Sequence, residues 1–188
     1  NCGAGFICSL KGKRTNDIIH KALDILVKLE HRGAVSADGK TGDGAGILID
    51  IPHDFLTDVL SFKLPEPKKY ALGMVFLPQK MNQRTHCIQV FEEELARQDL
   101  AIIGWRDVPT NYDVVGRIAA QTLPNIKHVF VEDATGKLTE DQLNTKTFIA
   151  RKRAEHRIFG SKMSQNSYFY LPSFSTRTVI YKGLLMPE

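Results

Sequence analysis

A cysteine stands at the second position of the chain and is followed by the small and apolar segment GAGFI at residues 3–7. If Asn1 were removed, the α-amine of Cys2 would have a pKa of about 7.7 to 8.0 and could accept the thiol proton at neutral pH. The glycines of the segment would let backbone and substrate approach without a Cβ atom in the way. Cys2 is therefore the leading candidate for a nucleophile, although its position alone favours an incidental cysteine.

A glycine-rich segment, DGKTGDGAG at residues 38–46, is the next candidate site. Backbone N–H groups in such loops can cradle a phosphate. A P-loop would need Lys and then Ser or Thr after the last glycine, and a dinucleotide fingerprint would need glycine at position 47 and a helix after it. Ile47 begins the segment ILIDI, which favours a strand. Two interpretations remain: a tight structural turn, or backbone that shapes a pocket beside Cys2.

The remaining reactive side chains give weaker indications. Arg32 is either a surface cation at a helix C-terminus, which the physical argument favours, or a guanidinium directed at an active site. His31 is expected to cap the same helix, and Cys8 and Cys87 are expected to be small buried hydrophobes. The six histidines are scattered without HxxxH or HExxH spacing, so no metal site is predicted.

The elements that would position these residues mix helices and strands. A strand is predicted at residues 3–7, and a helix is predicted from Thr15 or Asn16, with apolar residues at helical spacing, to a stop at Gly33. Further helices are predicted at residues 82–98 and 147–159, and further strands at 47–51, 70–77, 100–105, 129–132, 167–171 and 177–182. The polar residues 132–142 are expected to form a surface insertion or hairpin.

Composition indicates one domain, residues 1–188, in a reducing compartment. The chain is 43% hydrophobic and has three cysteines without a CxxC pair, which argues against a secreted disulfide scaffold and favours a cytoplasmic location. No stretch approaches the roughly 20 apolar residues of a membrane span. A basic run could contact nucleic acid, but Glu155 interrupts it, so a solvated helix face is expected. This run consists of Arg151, Lys152, Arg153 and Arg157.

Taken in order, these motifs resemble the class II glutamine amidotransferases, and among them the glutamate synthases. The resemblance rests on CGAGF at residues 2–6, LEHRGA at 29–34, Asp38 with TGDGAGIL at 41–48, and IP at 51–52, and it continues through GMVFLP at 73–78, GWRDVP at 104–109 and STRTVIYKG at 175–183. It implies an α+β N-terminal-nucleophile hydrolase fold, with two stacked antiparallel sheets between helical layers. The nucleophile would lie at the start of a central strand.

The resemblance also implies a reaction and its partners. The thiolate of Cys2 would attack the side-chain amide of L-glutamine, release ammonia and leave a glutamyl thioester for water to cleave, with Arg32 and Gly33 in supporting roles. In the whole enzyme the ammonia would pass to a synthase site with FMN and an iron–sulfur cluster, held by other domains. Those domains, with a small subunit or ferredoxin, are the expected protein partners, whereas no cofactor, nucleic acid or membrane is expected for this part.

Two departures from the family pattern affect these expectations. Asn1 precedes the cysteine that the family needs at its N-terminus. The resemblance implies that the family's glutamine-binding arginine, Asn-Gly oxyanion pair and substrate-binding aspartate follow the YKG segment and lie after Glu188. As a check, no asparagine of the chain precedes a glycine. Loss of one oxyanion donor costs on the order of a hundredfold to a thousandfold in rate, so residues 1–188 alone are expected to be nearly inactive. The alternatives are a noncatalytic or regulatory module with the same fold, or a hydrolase of another amide.

Overall fold

The computed structural model describes residues 3–184, and the prediction for Cys2 therefore falls on a residue outside the described part. The helices are α1 (Asn16–Lys28), α2 (His53–Val59), α3 (Met81–Ala96), α4 (Arg117–Ala120) and α5 (Glu140–Phe159), with 3₁₀ turns at Glu30–Arg32 and Asn166–Tyr168. The strands are β1 (Ala45–Asp50), β2 (Tyr70–Leu77), β3 (Leu100–Asp107), β4 (Asn125–Asp133), β5 (Tyr170–Ser175) and β6 (Thr178–Gly183). The predicted α+β class is confirmed.

Two compact units share the chain. The first comprises Asn1–Ile49, Thr110–Leu123 and Ile180–Glu188, and the second comprises Asp50–Pro109 and Pro124–Val179. The chain thus passes from the second unit into the first and back between β3 and β4. The expectation of one domain over residues 1–188 stays a prediction.

The second unit is built on a four-stranded antiparallel sheet with the order β3-β4-β2-β5. All eight residues of β2 are buried, as expected for a central strand that is apolar on both faces. Helices α3 and α5 contribute to the same core as these strands. At its centre the ring of Phe91 contacts the rings of Trp105, Phe169 and Phe174, with centroids 5.8 to 6.3 Å apart.

Helix α5 begins earlier than predicted. The Thr139 hydroxyl accepts a hydrogen bond from the Gln142 amide, and the Gln142 side chain accepts one from the Thr139 amide. This capping box starts the helix ahead of its first apolar residues. The predicted start at Thr147 is therefore wrong. Of the surface insertion or hairpin predicted at 132–142, only residues 134–139 form a largely exposed turn and loop, between β4 and α5. Strand β5 also differs, because a 3₁₀ turn occupies the start of the predicted strand and moves it to Tyr170–Ser175.

The basic run on α5 is a solvated helix face that carries ion pairs. Glu155 accepts hydrogen bonds from Arg151 Nε and Lys152 Nζ, each at 2.9 Å. Arg153 and Arg157 bind Glu94 of α3 instead, each at 2.7 Å. Lys152, Arg153 and Arg157 are exposed and all four cations pair with carboxylates, so the solvated-face interpretation is confirmed. The absence of a nucleic-acid partner stays a prediction.

The first unit contains α1, α4 and most of β1 and β6, which together form a two-stranded sheet. Helix α1 is confirmed, with Thr15 at its N-cap, but it ends at Lys28 instead of at the predicted stop, Gly33, because a 3₁₀ turn follows at Glu30–Arg32. None of the residues of α1 is buried. The strand predicted at residues 3–7 is wrong, because these residues have no regular secondary structure. Their glycines pack against α1 instead of pairing with a strand.

Candidate active site

The segment that follows Cys2 lies against the side of α1. A Cβ atom added to Gly3 would lie 2.9 Å from Cδ2 of Leu29, and one added to Gly5 would lie 2.5 Å from Cγ2 of Ile25. Both distances are shorter than ordinary Cβ contacts, so the segment lies close to the side chains of Ile25 and Leu29. The approach of substrate or other backbone that was expected at these glycines stays a prediction, since the close neighbours here are the side chains of Ile25 and Leu29.

The C-terminal end of α1 leads directly to the predicted supporting residues. His31 Nδ1 lies 3.0 Å from the carbonyl oxygen of Lys28, which confirms the expected cap. The Arg32 amide donates to the Leu29 carbonyl at 2.8 Å, and the Gly33 amide donates to Glu30 at 2.9 Å. Arg32 is exposed, and its part in catalysis stays a prediction.

The backbone conformation at position 33 does not require glycine. Its φ is −93°, which any residue adopts, and the nearest atom to an added Cβ would be the Glu30 carbonyl oxygen at 3.4 Å. A local turn therefore does not explain the glycine at this position. Its supporting role stays a prediction.

A short hairpin at residues 34–43 follows. The Asp43 amide donates to the Ala34 carbonyl at 3.1 Å, and the Ala34 amide donates to Asp43 Oδ2 at 3.0 Å. Val35 and Gly42, the next residues towards the tip, form an antiparallel bridge. The hairpin therefore joins the end of α1 to the glycine-rich segment that leads into β1.

Asp38, at the tip of the hairpin, is bound by four donors. Its Oδ1 accepts from the amides of Lys40 (3.1 Å) and Thr41 (2.8 Å). Its Oδ2 accepts from the Thr41 hydroxyl (2.7 Å) and from the Ile118 amide (3.0 Å) at the start of α4. The hydrogen bond from Ile118, the Thr41 hydroxyl and the two loop amides together hold the pKa of Asp38 well below its usual range, against a smaller opposing effect of burial.

The backbone amides of the glycine-rich segment at residues 38–46, the glycine loop, are largely used in hydrogen bonds within the hairpin. The amides of Gly39, Lys40, Thr41 and Asp43 all donate to oxygens of the hairpin. Gly44, with φ of +122°, and Gly46 approach the carbonyl oxygens of β6 so closely that added Cβ atoms would lie 3.1 and 2.9 Å from them. These contacts support a tight structural turn and leave few donors for a phosphate, while a role in shaping a pocket beside Cys2 stays a prediction.

Sequence reasoning missed the part played by Asp38 and helix α4. A signal was present, because aspartate followed by glycine and, three residues on, threonine is typical of a turn closed by its own side chain. The partner of this turn, Ile118, lies 80 residues away and belongs to a helix of four residues. No local pattern could have indicated that pairing.

The two described cysteines differ. Cys87 is fully buried, as predicted, and burial raises its pKa to about 11, which makes it unreactive. The prediction for Cys8 is wrong, because this residue is exposed in a segment without regular structure. Among residues 3–184 there is no group of three or more His, Cys, Asp or Glu side chains that could hold a metal ion, and no helix long and apolar enough to cross a membrane.

Comparison with known proteins gives a consistent result. Residues 2–188 match the family described as glutamine amidotransferases class-II. The chain is 36% identical over 188 residues to the glutamate synthase [NADPH] large chain of Bacillus subtilis and 37% identical over 187 residues to the ferredoxin-dependent glutamate synthase 2 of Synechocystis. It is 34% identical over 198 residues to the glutamate synthase [NADH] of Saccharomyces cerevisiae.

These alignments cover 98 to 100% of this chain but only 9 to 12% of the relatives, so the chain spans about an eighth of their length or less. The family match begins at Cys2 and includes the glycine segment, the end of α1, the hairpin and β6. The mixed helices and strands and the two sheets agree with the N-terminal-nucleophile hydrolase fold that this family implies. The chain belongs to the class II glutamine amidotransferases.

Proposed function

We propose that this chain is the glutaminase part of a glutamate synthase, and that it hydrolyses L-glutamine to glutamate and ammonia through a thioester on Cys2. One observation carries the proposal: the family match spans residues 2–188 and begins at the cysteine rather than at Asn1. That is the position at which an N-terminal nucleophile must start. The glutamate synthases among the relatives indicate which enzyme uses the ammonia.

The mechanism follows from the chemistry of an N-terminal cysteine. Once Asn1 is removed, the α-amine of Cys2 accepts the thiol proton, and the thiolate attacks the side-chain amide carbon of glutamine. The tetrahedral intermediate collapses, the amide nitrogen takes up a proton and leaves as ammonia, and a glutamyl thioester remains. Water then attacks the thioester, which releases glutamate and restores the thiol.

The described residues support the backbone around this nucleophile. Gly3, which is bonded to Cys2, lies against Leu29, the C-cap residue of α1, three residues before Arg32. The roles that we assign to Arg32 and Gly33 are binding or orienting the substrate next to the thiol. Cys8 and Cys87 lie within the chain, so their backbone nitrogens are in peptide bonds and neither can be a nucleophile of this kind.

For the whole enzyme, we propose that the ammonia passes within the protein to a synthase site in the rest of the polypeptide. FMN and an iron–sulfur cluster would belong to that part. The electron donor stays open, since relatives named for NADPH, ferredoxin and NADH are 34 to 37% identical to this chain. A small subunit or ferredoxin as partner and a cytoplasmic location stay predictions.

The proposal is tested by ammonia release from glutamine in the complete natural polypeptide. Cys2→Ala is expected to lower the rate by about a thousandfold or more, because no other group can form the thioester. Cys8→Ser is the matched control, since it removes an exposed thiol nearby in sequence and is expected to keep full activity. An active Cys2→Ala variant would rule out the mechanism.

A second measurement separates a catalytic from a noncatalytic module. The intact mass of the natural protein is expected to show Cys2 as the first residue, and diazo-oxo-norleucine, a reactive glutamine analogue, is expected to label Cys2 alone. Retention of Asn1 together with an unlabelled Cys2 would favour a binding or regulatory module with the same fold.

A further inference from the structure

We propose that Asp38 is a positioning residue of the glutaminase site: its carboxylate fastens the hairpin at residues 34–43 to helix α4 and thereby holds the backbone of Arg32, Gly33 and the glycine loop in place. This inference rests on the proposed function. It assigns a structural role to Asp38 and to helix α4, neither of which has a role in the proposed mechanism.

The first argument is the geometry of the carboxylate. Oδ1 closes the tip of the hairpin by accepting from the amides of Lys40 and Thr41, and Oδ2 reaches the amide of Ile118, 80 residues away in the chain. The Thr41 hydroxyl donates to the same Oδ2 and accepts from the Ala119 amide at 3.3 Å. Two side chains of the hairpin therefore satisfy two amides at the start of α4, which would otherwise lack helical partners.

The second argument is burial. Within the first unit, only four of the described residues are buried, and all four lie at this junction. They are Thr41, Gly42, Gly116 and Ala119. Helix α1 and strand β1 have no buried residue. The contact between the hairpin and α4 therefore contains all the buried residues in the described part of this unit. The hydrogen bond from the Ala119 amide to the Thr41 hydroxyl is buried there and is shielded from solvent, and the bond from the Ile118 amide to Asp38 Oδ2 lies at the exposed edge of the same contact.

The third argument is the glycine at the start of α4. A Cβ atom on Gly116 would lie 2.7 Å from the Thr41 amide nitrogen and 2.8 Å from Asp38 Oδ2. The chain can come this close to the hairpin only without a side chain at position 116. The junction therefore depends on Asp38 and Thr41 in the hairpin and on the glycine at position 116 before α4.

The position of the hairpin in the chain connects this junction to the site. Its first residue, Ala34, follows Gly33 directly, and its last residue, Asp43, leads into Gly44 and β1. Paired amides and carbonyls run from the tip to both ends. Displacement of the tip therefore moves the supporting residues and the glycine loop together, while Cys2 stays attached to the segment that packs on α1.

Asp38→Asn is the first test, made in the complete natural polypeptide. The amide keeps the volume of the carboxylate but replaces one acceptor oxygen by a donor, so the amides of the hairpin tip and of Ile118 cannot all be satisfied. We expect the KM for glutamine to rise about tenfold or more, as for the loss of a hydrogen bond to a charged group. Asp58→Asn, on the exposed face of α2, is the control and is expected to leave KM within about twofold.

A pair of thiol reagents distinguishes positioning from simple loss of folded protein. Iodoacetamide needs no glutamine site, whereas diazo-oxo-norleucine does. In Asp38→Asn we expect the rate constant of Cys2 alkylation to fall about tenfold with the glutamine analogue and to stay within about twofold with iodoacetamide. A KM within twofold of wild type, or an equal fall with both reagents, would overturn the inference.

Gly116→Ala tests the same junction from its other side and decides the matter if Asp38→Asn does not fold. It is expected to reproduce the rise in KM and the selective loss of reaction with the glutamine analogue, and wild-type values would overturn the inference. A wild-type protein that releases no ammonia from glutamine would instead contradict the proposed function, so the two failures are distinguishable.

Discussion

A single buried histidine makes the stability of this molecule depend on pH. His128 of β4 is fully buried, lies edge-on to the ring of Phe130, and has Nδ1 3.5 Å from Nη1 of Arg106. Burial and the positive charge of Arg106 lower its pKa to about 4. The folded protein therefore keeps His128 neutral at pH values where the unfolded chain, with a histidine pKa of about 6.5, binds a proton.

The resulting prediction concerns unfolding between pH 7 and pH 5. The stabilising contribution is complete above the unfolded pKa of about 6.5 and is lost as the pH falls toward about 4, by on the order of 2 to 3 kcal/mol in all. Carboxylates with lowered pKa, such as Glu94, respond only below about pH 4.5, so this window isolates the histidine. Urea unfolding should show a smaller pH dependence for His128→Gln than for wild type.

His156→Gln, on the exposed face of α5, is the matched control and should keep the wild-type dependence. An unchanged pH dependence in His128→Gln would contradict the prediction. This histidine was not singled out from the sequence, because scattered histidines carry no local pattern and only tertiary burial makes one of them different.

Side-chain roles were predictable where they depend on neighbours in the chain. The cap by His31 needs only the preceding turn of α1. Cys87 is buried because the apolar face of α3 faces the core. Cys8 was expected to be a small buried hydrophobe, but its segment forms no strand and is left exposed. Asp38 depends on a partner from a distant part of the chain.

At the scale of elements, one buried carboxylate joins α3 to α5. The side chain of Glu94 has no exposed surface and binds Arg153 and Arg157 of α5, each at 2.7 Å, and Arg97 of its own helix at 3.1 Å. Burial alone would raise the pKa of Glu94, but the hydrogen bonds from Arg153 and Arg157 outweigh it and the pKa is lowered. The carboxylate therefore stays ionised and holds both helices.

Glu94→Ala is predicted to lower the free energy of unfolding by about 2 kcal/mol. Breaking a fully buried ion pair costs about 3 to 5 kcal/mol, but these arginines are 35 to 53% exposed and can regain water. Chemical denaturation measures the change. Glu93→Ala, which removes a half-exposed carboxylate bound to Arg157 alone, should cost less than about 1 kcal/mol. Equal effects of the two substitutions would contradict this account.

Elements were predictable where their apolar pattern was complete. Strand β2 was predicted with its observed bounds, and α1 and α3 to within one or two residues at their N-terminal ends. Helix α5 was placed too late because its first turns are polar and depend on a capping box. Helices α2 and α4 were missed, since seven and four residues are too few to show helical periodicity.

The whole molecule shows an uneven distribution of burial. Every residue of the hydrophobic core cluster belongs to the second unit, as do the rings that meet at Phe91. In the first unit, the described residues are buried only at the junction of the hairpin and α4. Composition predicted enough apolar residues for a core, but it could not indicate that one unit would take almost all of it. The residues proposed to support catalysis lie in the unit with less burial.

This contrast predicts different rates of amide hydrogen exchange for two helices of similar length. Helix α1 has 13 residues and none is buried, whereas α3 has 16 residues and five are buried. An isolated helix of about 12 to 15 residues is marginal in water, so α1 should open locally without unfolding of the core. In residues 1–188, mass spectrometry should show α1 exchanging at least about a hundredfold faster than α3. If α1 proves as protected as α3, its apolar face must be covered in solution, and the protection should then fall on dilution if self-association is the cause.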